Sequence, residues 1–258
     1  MELIALDMDG TLLDGNGQLP AGFDDVARAC ADRGWVLAPA SGRQLATLQR
    51  MFVLDAFIAE NGTVVSYRGE IVTTPLSHVD RILASVPEGC DVVVCQPERA
   101  LVKRVTDEIR KYYAVTKVVD TFQDITGDVV KIAVYSESAV DTAPLIDGAG
   151  MSVVVSGPNW VDIMNPQANK GTALQMLAEK MGADATMAFG DYFNDLEMLR
   201  AADRSFAVAN AHPDIKAVVD EHVRSAVAAI PQPEVPDVAE MVAKAVAAIP
   251  VPENGKDA

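Results

Sequence analysis

The chain has 258 residues, 50% of them hydrophobic, enough for one large domain or two modest ones with a sizeable core. Its 37 acidic and 21 basic side chains give a net charge of −16, which repels nucleic acid and anionic lipid. No apolar run approaches the roughly 20 residues of a membrane helix, and the N-terminus lacks a signal-peptide pattern. We therefore expect a cytoplasmic protein that binds neither nucleic acid nor membrane.

The three cysteines, Cys30, Cys90 and Cys95, are scattered along the chain without the spacing of metal ligands. An odd number of unclustered cysteines is typical of proteins in a reducing compartment. We expect all three thiols to be structural.

Strand and helix patterns alternate along the first part of the chain. They predict strands at 3–6, 35–40 and 57–60 and helices at 21–33 and 43–52. Two turn signals stand out: Asp14-Gly15-Asn16-Gly17 after the first strand, and Arg68-Gly69 inside a hairpin at 64–72. This alternation is typical of a parallel sheet covered by helices.

The pattern changes between about residues 77 and 159. Here the sequence predicts helices at 79–86, up to 112 and near 138–146, and strands at 91–95, 100–103, 129–135, 152–156 and 161–164. Neighbouring strands with turn signals between them indicate a mixed or antiparallel sheet with helices on one face. We predict an inserted α+β domain over 77–159, within an α/β core formed by 1–76 and 160–258.

The first pattern then resumes. It predicts a helix at 170–181, a strand at 186–189, a helix at 196–202 and a strand at 205–208. A Pro-rich stretch after Ile230 precedes an Ala- and Val-rich helix expected at about 237–249.

Two aspartates, Asp7 and Asp9, stand where the first predicted strand ends. In an open parallel sheet, ligands bind at the carboxyl ends of the strands. A pair of carboxylates there can hold a hard divalent cation, while one attacks as a nucleophile and the other moves a proton. Taken alone, the segment is equally consistent with an ordinary Asp-x-Asp-Gly turn.

Three more polar clusters follow other predicted strands. Ser41-Gly42-Arg43 directly precedes a predicted helix, whose free N–H groups suit a phosphate, although an ordinary helix cap is the alternative. Lys170 begins another predicted helix, where its charge opposes the helix dipole, so we expect an anion nearby unless it is a surface lysine. Asp191 is placed to reach a metal, while Asn194 and Asp195 could cap the following helix or hold its neighbours.

The order of these motifs carries a family resemblance. They are Asp7-Met8-Asp9-Gly10-Thr11-Leu12-Leu13, Ser41-Gly42-Arg43, Lys170-Gly171 and Gly190-Asp191-x-x-Asn194-Asp195, supported by Glu60-Asn61-Gly62 and Asn210-Ala211-x-Pro213. As a set they resemble the haloacid dehalogenase-like phosphatases, in particular the Cof-type branch, over essentially the whole chain up to Ala226. The resemblance implies a Rossmann-like parallel-sheet core with an α+β cap domain of the C2B type inserted between the second and third motifs.

The resemblance also implies a Mg²⁺-dependent phosphatase that acts on small phosphorylated metabolites, with sugar phosphates as the expected class. In this interpretation Asp7 is the nucleophile that forms an aspartyl-phosphate, Asp9 is the acid and base, and Lys170 balances charge. The metal is expected on Asp7, Asp191 and the backbone carbonyl of Asp9. The phosphate-binding residues are expected to be Met8, through its N–H, and Ser41, Gly42, Arg43, Lys170 and Asn194. Thr11 and Asp195 are expected to support these groups from behind.

Two other functions are compatible with the same motifs. A phosphomutase would return the phosphoryl group to a sugar instead of to water, and a non-catalytic regulator would bind a sugar phosphate without turnover. A proton donor at Asp9 argues against a pure binding module. The sequence carries no signal for an oligomeric state.

Overall fold

The computed structural model describes residues 1–123, 125–226 and 242–244. The chain divides into two compact units, one spanning 1–38 and 178–258 and the other 39–177. Within the described residues no helix has the length and apolar character needed to span a membrane. The Pro-rich stretch and all of the predicted helix at 237–249 except 242–244 lie outside the described residues.

The elements are numbered along the chain. The strands are β1 (Glu2–Asp7), β2 (Val36–Ala40), β3 (Ala56–Ala59), β4 (Val64–Tyr67), β5 (Glu70–Thr73), β6 (Asp91–Cys95), β7 (Ala100–Val102), β8 (Thr116–Val118), β9 (Lys131–Tyr135), β10 (Ser152–Val155), β11 (Trp160–Met164), β12 (Ala185–Gly190) and β13 (Arg204–Ala207). The helices are α1 (Phe23–Asp32), α2 (Leu45–Met51), α3 (Val79–Ser85), α4 (Asp107–Tyr112), α5 (Ala139–Thr142), α6 (Lys170–Met181), α7 (Leu196–Ala201) and α8 (Pro213–Ala226).

The first unit is built on parallel strands. β12 lies between β1 and β13 and pairs in parallel with both. The apolar residues 3–6 of β1 are fully buried, as expected for a strand covered on both faces. α7 and α8 pack against this sheet. The predicted parallel-sheet core is therefore confirmed.

In the second unit, the end of β2 pairs in parallel with β3, and β3, β4 and β5 continue as an antiparallel meander. The turn between β4 and β5 falls on Arg68 and Gly69, as predicted. Both residues have positive φ values, 50° and 82°, which a two-residue hairpin turn that matches the strand twist requires.

The second unit also contains a six-stranded sheet in the order β10-β11-β9-β6-β7-β8. All its pairs are antiparallel except β7 with β8. One face packs on α3 and α5 through an apolar core that includes Ile82, Ile132 and Val134. This is the mixed sheet with helices on one face that the sequence predicts. Its strand β11 begins at Trp160, so the predicted boundary at residue 159 falls within this sheet.

Two elements of the structure are absent from the sequence prediction, and two predicted helices differ from the structure. β8 and α8 were not predicted: β8 has only three residues, and α8 begins at Pro213, a residue that suits the first helical position. α2 begins at Leu45 and not at Arg43. The predicted helix at 138–146 is only α5 followed by a 3-10 turn at 143–145, because Pro144 cannot donate the backbone hydrogen bond that would continue it.

The three cysteines are free thiols. Burial raises the pKa of Cys30 to about 11 and raises the pKa of Cys95 well above its usual value. Burial also raises the pKa of Cys90, although that residue is only partly covered. Thiols with raised pKa values are poor nucleophiles, which agrees with the structural role predicted for all three.

Candidate active site

Two aspartates meet at the carboxyl edge of the first unit's sheet. Asp7 is the last residue of β1 and is buried. Leu6 pairs with Phe189, so the parallel register places Asp7 beside the end of β12, and Asp191 is the first residue after that strand. The two carboxylates come together because neighbouring parallel strands end at the same edge.

The chain reverses immediately after β1. The Leu12 N–H donates to the Asp7 carbonyl at 3.2 Å, and the Leu13 N–H donates to the Met8 carbonyl at 2.8 Å. Gly10 sits in this turn with a φ of 86°, and a Cβ there would overlap Oδ2 of Asp191. The turn therefore requires glycine twice over, for its backbone angle and for the carboxylate packed against it.

Asp191 is held from several sides. The Thr11 hydroxyl donates to its Oδ1 at 3.2 Å, and the His212 N–H donates to its backbone carbonyl at 2.9 Å. The Asn210 amide donates to the Gly10 carbonyl at 2.7 Å and so ties the turn after β1 to the segment after β13. Thr11 thus contacts a predicted metal ligand, as the supporting role proposed for it requires.

Asp195 is fully buried and organises the loop after β12. Its Oδ2 accepts the N–H groups of Asp191 at 3.0 Å and Tyr192 at 3.2 Å. Gly190 leaves room for it, since a Cβ on that residue would lie 2.6 Å from the Asp195 Cβ. The loop that carries Asp191 is therefore fixed by the Asp195 carboxylate.

One carboxylate oxygen from each of Asp7, Asp191 and Asp195 lies within 4.8 Å of the others, which makes this group a candidate metal site. At such distances each pair of charges repels by about 3 kcal/mol if the effective dielectric constant is about 20. A hard divalent cation with oxygen ligands would relieve this repulsion. Asp195, expected in a supporting role, supplies the third oxygen of the group, whereas Asp9 is exposed.

The other predicted residues of the first unit differ in exposure. Met8 is buried at the start of the turn after β1. Asn194 is exposed on a short 3-10 helix at 193–195. The exposed Asp9 and Asn194 have the access to solvent that contact with a substrate needs.

In the second unit, the predicted phosphate-binding loop of residues 41–43 is held by backbone hydrogen bonds. The Ser41 N–H donates to the carbonyl of Ile58, and the Ser41 carbonyl accepts the N–H of Asn61, both at 2.9 Å. The Arg43 carbonyl accepts the N–H of Glu60 at 3.0 Å. The loop is therefore anchored to the end of β3 and to the turn that follows it.

The alternative interpretation of this cluster, an ordinary helix cap at Ser41, is wrong. α2 begins four residues later, at Leu45, with Gln44 at its cap position and no side-chain cap. The Ser41 hydroxyl oxygen accepts the N–H of Arg43 at 3.2 Å instead. Any anion bound here would therefore meet a loop and not the free N–H groups of a helix.

Lys170 is the first residue of α6, as predicted, but it is not a surface lysine because only 1% of it is exposed. Asn169 precedes it, and its Oδ1 accepts the Thr172 N–H at 2.9 Å. Gly62 packs directly against the Asn169 carbonyl, which a Cβ there would overlap. A buried ammonium at the positive end of a helix needs an anion for compensation.

One charged residue of this region, Lys131 on β9, belongs to none of the motifs in the sequence. Its Nζ lies 2.5 Å from a carboxylate oxygen of Glu60 and 3.4 Å from the carbonyl oxygen of Gly42. A signal was present in the sequence, because Lys131 interrupts an otherwise apolar run of residues from Val129 to Val134.

We expect substitution of Gly10 by alanine to be more damaging than the same change at Gly17. Both residues have positive φ, but nothing lies near a Cβ at Gly17. Gly17→Ala should lower the free energy of unfolding by about 1 kcal/mol through backbone strain alone. Gly10→Ala should lower it by about 2–4 kcal/mol because overlap with Asp191 adds to the strain. Urea unfolding followed by circular dichroism measures both, and equal losses would contradict the close packing at Gly10.

The family of the chain follows from comparison with known proteins. The model of the haloacid dehalogenase-like hydrolases matches residues 4–228. A 5-amino-6-(5-phospho-D-ribitylamino)uracil phosphatase of Escherichia coli is 30% identical, covering 82% of this chain and 86% of the relative. A phosphoglycolate phosphatase of Methanothermobacter thermautotrophicus is 28% identical, covering 88% and 93%.

The fold agrees with this family. The solved structure of a haloacid dehalogenase-like hydrolase from Bacteroides thetaiotaomicron has 22% identity and a TM-score of 0.72, covering 85% of this chain and 92% of that one. The resemblance found in the sequence motifs is therefore confirmed, and the chain belongs to the haloacid dehalogenase-like hydrolases as a phosphatase of the Cof-type branch.

Proposed function

We propose that this phosphatase hydrolyses small phosphate monoesters, sugar phosphates above all, with Mg²⁺ and through an aspartyl-phosphate on Asp7. The grouping of Asp7, Asp191 and Asp195 at the carboxyl edge of a parallel sheet is the observation that carries the proposal. A buried carboxylate beside a cation site is the arrangement that a carboxylate nucleophile needs against an anionic phosphate.

The residues present fit Mg²⁺. The side chains are carboxylates, the hard oxygen ligands that this ion prefers. Asp7, Asp191 and the backbone carbonyl of Asp9 would hold it, with Asp195 fixing the Asp191 loop. Bound Mg²⁺ supplies positive charge that screens the nucleophile from the phosphate oxygens.

In the first step the Asp7 carboxylate attacks phosphorus, the bond from phosphorus to the ester oxygen breaks, and Asp9 gives its proton to the leaving alcohol. In the second step Asp9 takes a proton from water as the water oxygen attacks phosphorus. The bond between phosphorus and Asp7 then breaks, which releases phosphate and regenerates the Asp7 carboxylate and the protonated Asp9.

The remaining residues are assigned to binding and charge balance. Ser41, Gly42 and Arg43 bind the non-bridging oxygens, together with the Met8 N–H and Asn194. Lys170 balances the negative charge of the transferring group. Its position at the start of α6 supports this assignment, because the helix dipole favours an anion there.

The substrate class is proposed from the relatives. One relative is named for an ester with a phosphorylated ribityl chain and another for phosphoglycolate. Both names describe small phosphorylated metabolites, and the first carries a sugar-like polyol. We assign selection among such esters to a cap formed by 77–159, and we place the enzyme in the cytoplasm because its cysteines are free thiols.

Asp7→Asn should lower Mg²⁺-dependent release of phosphate from p-nitrophenyl phosphate by at least about 10³-fold, because it removes the nucleophile. Asp32→Asn, at the exposed end of α1, is the matched control and should leave the rate unchanged. Wild-type activity in Asp7→Asn would contradict the mechanism. If the wild-type protein were given a sugar phosphate as substrate, formation of an isomerised sugar phosphate in place of free phosphate would identify a phosphomutase.

Asp9→Asn should affect poor leaving groups most. An alkoxide must be protonated as it leaves, whereas p-nitrophenolate leaves without help. We expect kcat/KM for glycerol 3-phosphate to fall by about 10²- to 10⁴-fold, and kcat/KM for p-nitrophenyl phosphate to fall much less. An equal fall in kcat/KM for the two esters would contradict the role of Asp9 as the acid.

Asp191→Asn should weaken Mg²⁺ binding at least tenfold, since the ion loses a charged ligand of the group. Isothermal titration calorimetry measures the affinity directly and does not depend on turnover. Asp24→Asn, on the exposed first turn of α1, is the control. Unchanged Mg²⁺ affinity in Asp191→Asn would place the cation elsewhere.

A further inference from the structure

A buried ammonium lies between two buried carboxylates in the second unit. The Nζ of Lys131 is 2.5 Å from Oε2 of Glu60 and 4.0 Å from Oδ2 of Asp162. The three side chains are 4%, 1% and 9% exposed, respectively. The Lys131 ammonium also lies 5.6 Å from the ring centre of Tyr113. It is therefore surrounded by protein groups and not by solvent.

The strand pairing explains why Lys131 points this way. Lys131 pairs with Cys95 on β6 and with Met164 on β11. Its neighbours Ile132 and Val134 lie in the apolar core under α3 and α5. Since side chains alternate along a strand, Lys131 projects from the opposite face of the six-stranded sheet, the face turned toward the loop of residues 41–43.

This arrangement costs stability. Three buried charges must lose their hydration, and apolar side chains of similar volume are often at least as stable in such positions. Burial acts against the charged form of Lys131, but the two carboxylates outweigh it and hold its pKa well above the usual value. Burial raises the pKa of Glu60, although Lys131 opposes this shift. The cost of burying this charged cluster points to a role other than stability.

The contacts of Lys131 lead directly to the predicted phosphate-binding loop. Its ammonium donates to the Gly42 carbonyl at 3.4 Å. That carbonyl shares one planar peptide with the Arg43 N–H, so fixing one fixes the other. The Arg43 N–H donates to the Ser41 hydroxyl oxygen at 3.2 Å. With that oxygen occupied as an acceptor, the Ser41 hydroxyl proton is available for an oxygen of another group.

Glu60 provides a second connection between Lys131 and the loop. It begins a turn of three residues, Glu60, Asn61 and Gly62, with φ values of 49°, 57° and 96°. Two consecutive non-glycine residues with positive φ are strained and need support from their surroundings. The N–H groups of Glu60 and Asn61 donate to the carbonyls of Arg43 and Ser41. The ion pair with Lys131 holds this strained turn against the loop.

We propose that Lys131 is a positioning residue that orients the Ser41 hydroxyl toward the phosphate through the Gly42–Arg43 peptide and the Glu60 turn. The inference rests on the proposed function, because it assigns phosphate binding to the loop of residues 41–43. Lys131 itself does not touch the substrate, since protein groups surround its ammonium. Its loss must therefore act on the phosphate end of every substrate alike.

The test is Lys131→Met, which keeps the length of the side chain and removes its charge. We expect kcat/KM to fall about 10- to 100-fold, the range typical of residues that orient a binding group. The same factor should apply to p-nitrophenyl phosphate and to glycerol 3-phosphate. Inhibition by inorganic phosphate should weaken by that factor too, and Lys131→Arg should restore part of each loss.

Lys117→Met is the matched control. Lys117 is an exposed lysine on β8 of the same sheet, and its replacement should leave all three measurements unchanged. A Lys131→Met loss confined to one ester, with unaltered phosphate inhibition, would overturn the inference and place Lys131 at the leaving group. Unchanged values for both esters and for phosphate would overturn it as well.

A second variant keeps the test decisive if circular dichroism shows that Lys131→Met does not fold. Glu60→Gln retains the shape of the turn and removes the charge that pairs with Lys131. It should weaken phosphate inhibition and both kcat/KM values by one common factor, and wild-type values in a folded Glu60→Gln would overturn the inference. If the proposed function itself were wrong, the wild-type protein would release no phosphate from either ester.

Discussion

Three aspartate carboxylates lie within 4.8 Å of one another where β1 and β12 end, and their mutual repulsion is the constraint on which the surrounding structure depends. The fold opposes this repulsion with directed donors. Two backbone N–H groups bond the Asp195 carboxylate, and the Thr11 hydroxyl bonds Asp191. A hydrogen bond to a charged group contributes about 1.5–3 kcal/mol, comparable with the repulsion of one pair of carboxylates.

The second unit buries charge of the opposite sign, in two different arrangements. Two carboxylates of the protein compensate the charge of Lys131. In the inference above, this charge holds the Glu60 turn and the Gly42–Arg43 peptide in place. Lys170 heads the twelve-residue helix α6, where the helix dipole adds to its own positive charge. The first arrangement suits orientation of neighbouring groups, and the second suits attraction of an anion.

The parts of the fold that depend on local pattern could be predicted from the sequence. The apolar run of residues 3–6 reads as a buried strand whatever surrounds it, and Arg68-Gly69 has the backbone preferences of a hairpin turn. β8 has only three residues and two of them are exposed, so it carries no periodic signal. It exists because β7 offers a free edge with which to pair.

The same division applies to the candidate site. Asp7 and Asp191 could be found because Asp7 ends one apolar strand and Asp191 directly follows another, and parallel strands bring their ends together. The participation of Asp195 in the acidic group depends on the course of the loop after β12. The pairing of Lys131 with Glu60 joins residues 71 positions apart, which no local pattern encodes.

The net charge of −16 makes the buried ammonium groups of Lys131 and Lys170 important for binding an anion. A phosphate ester that approaches the protein meets a negative field, but salt screens exposed charges beyond a Debye length of about 8 Å. Buried charges are screened much less, so a few enclosed cations can outweigh many exposed carboxylates at short range. Lys131 lies between Glu60 and Asp162, and Lys170 lies at the positive end of a helix. In the proposed function, Lys170 and a cation on the aspartates attract the phosphate, and Lys131 orients a group that binds it.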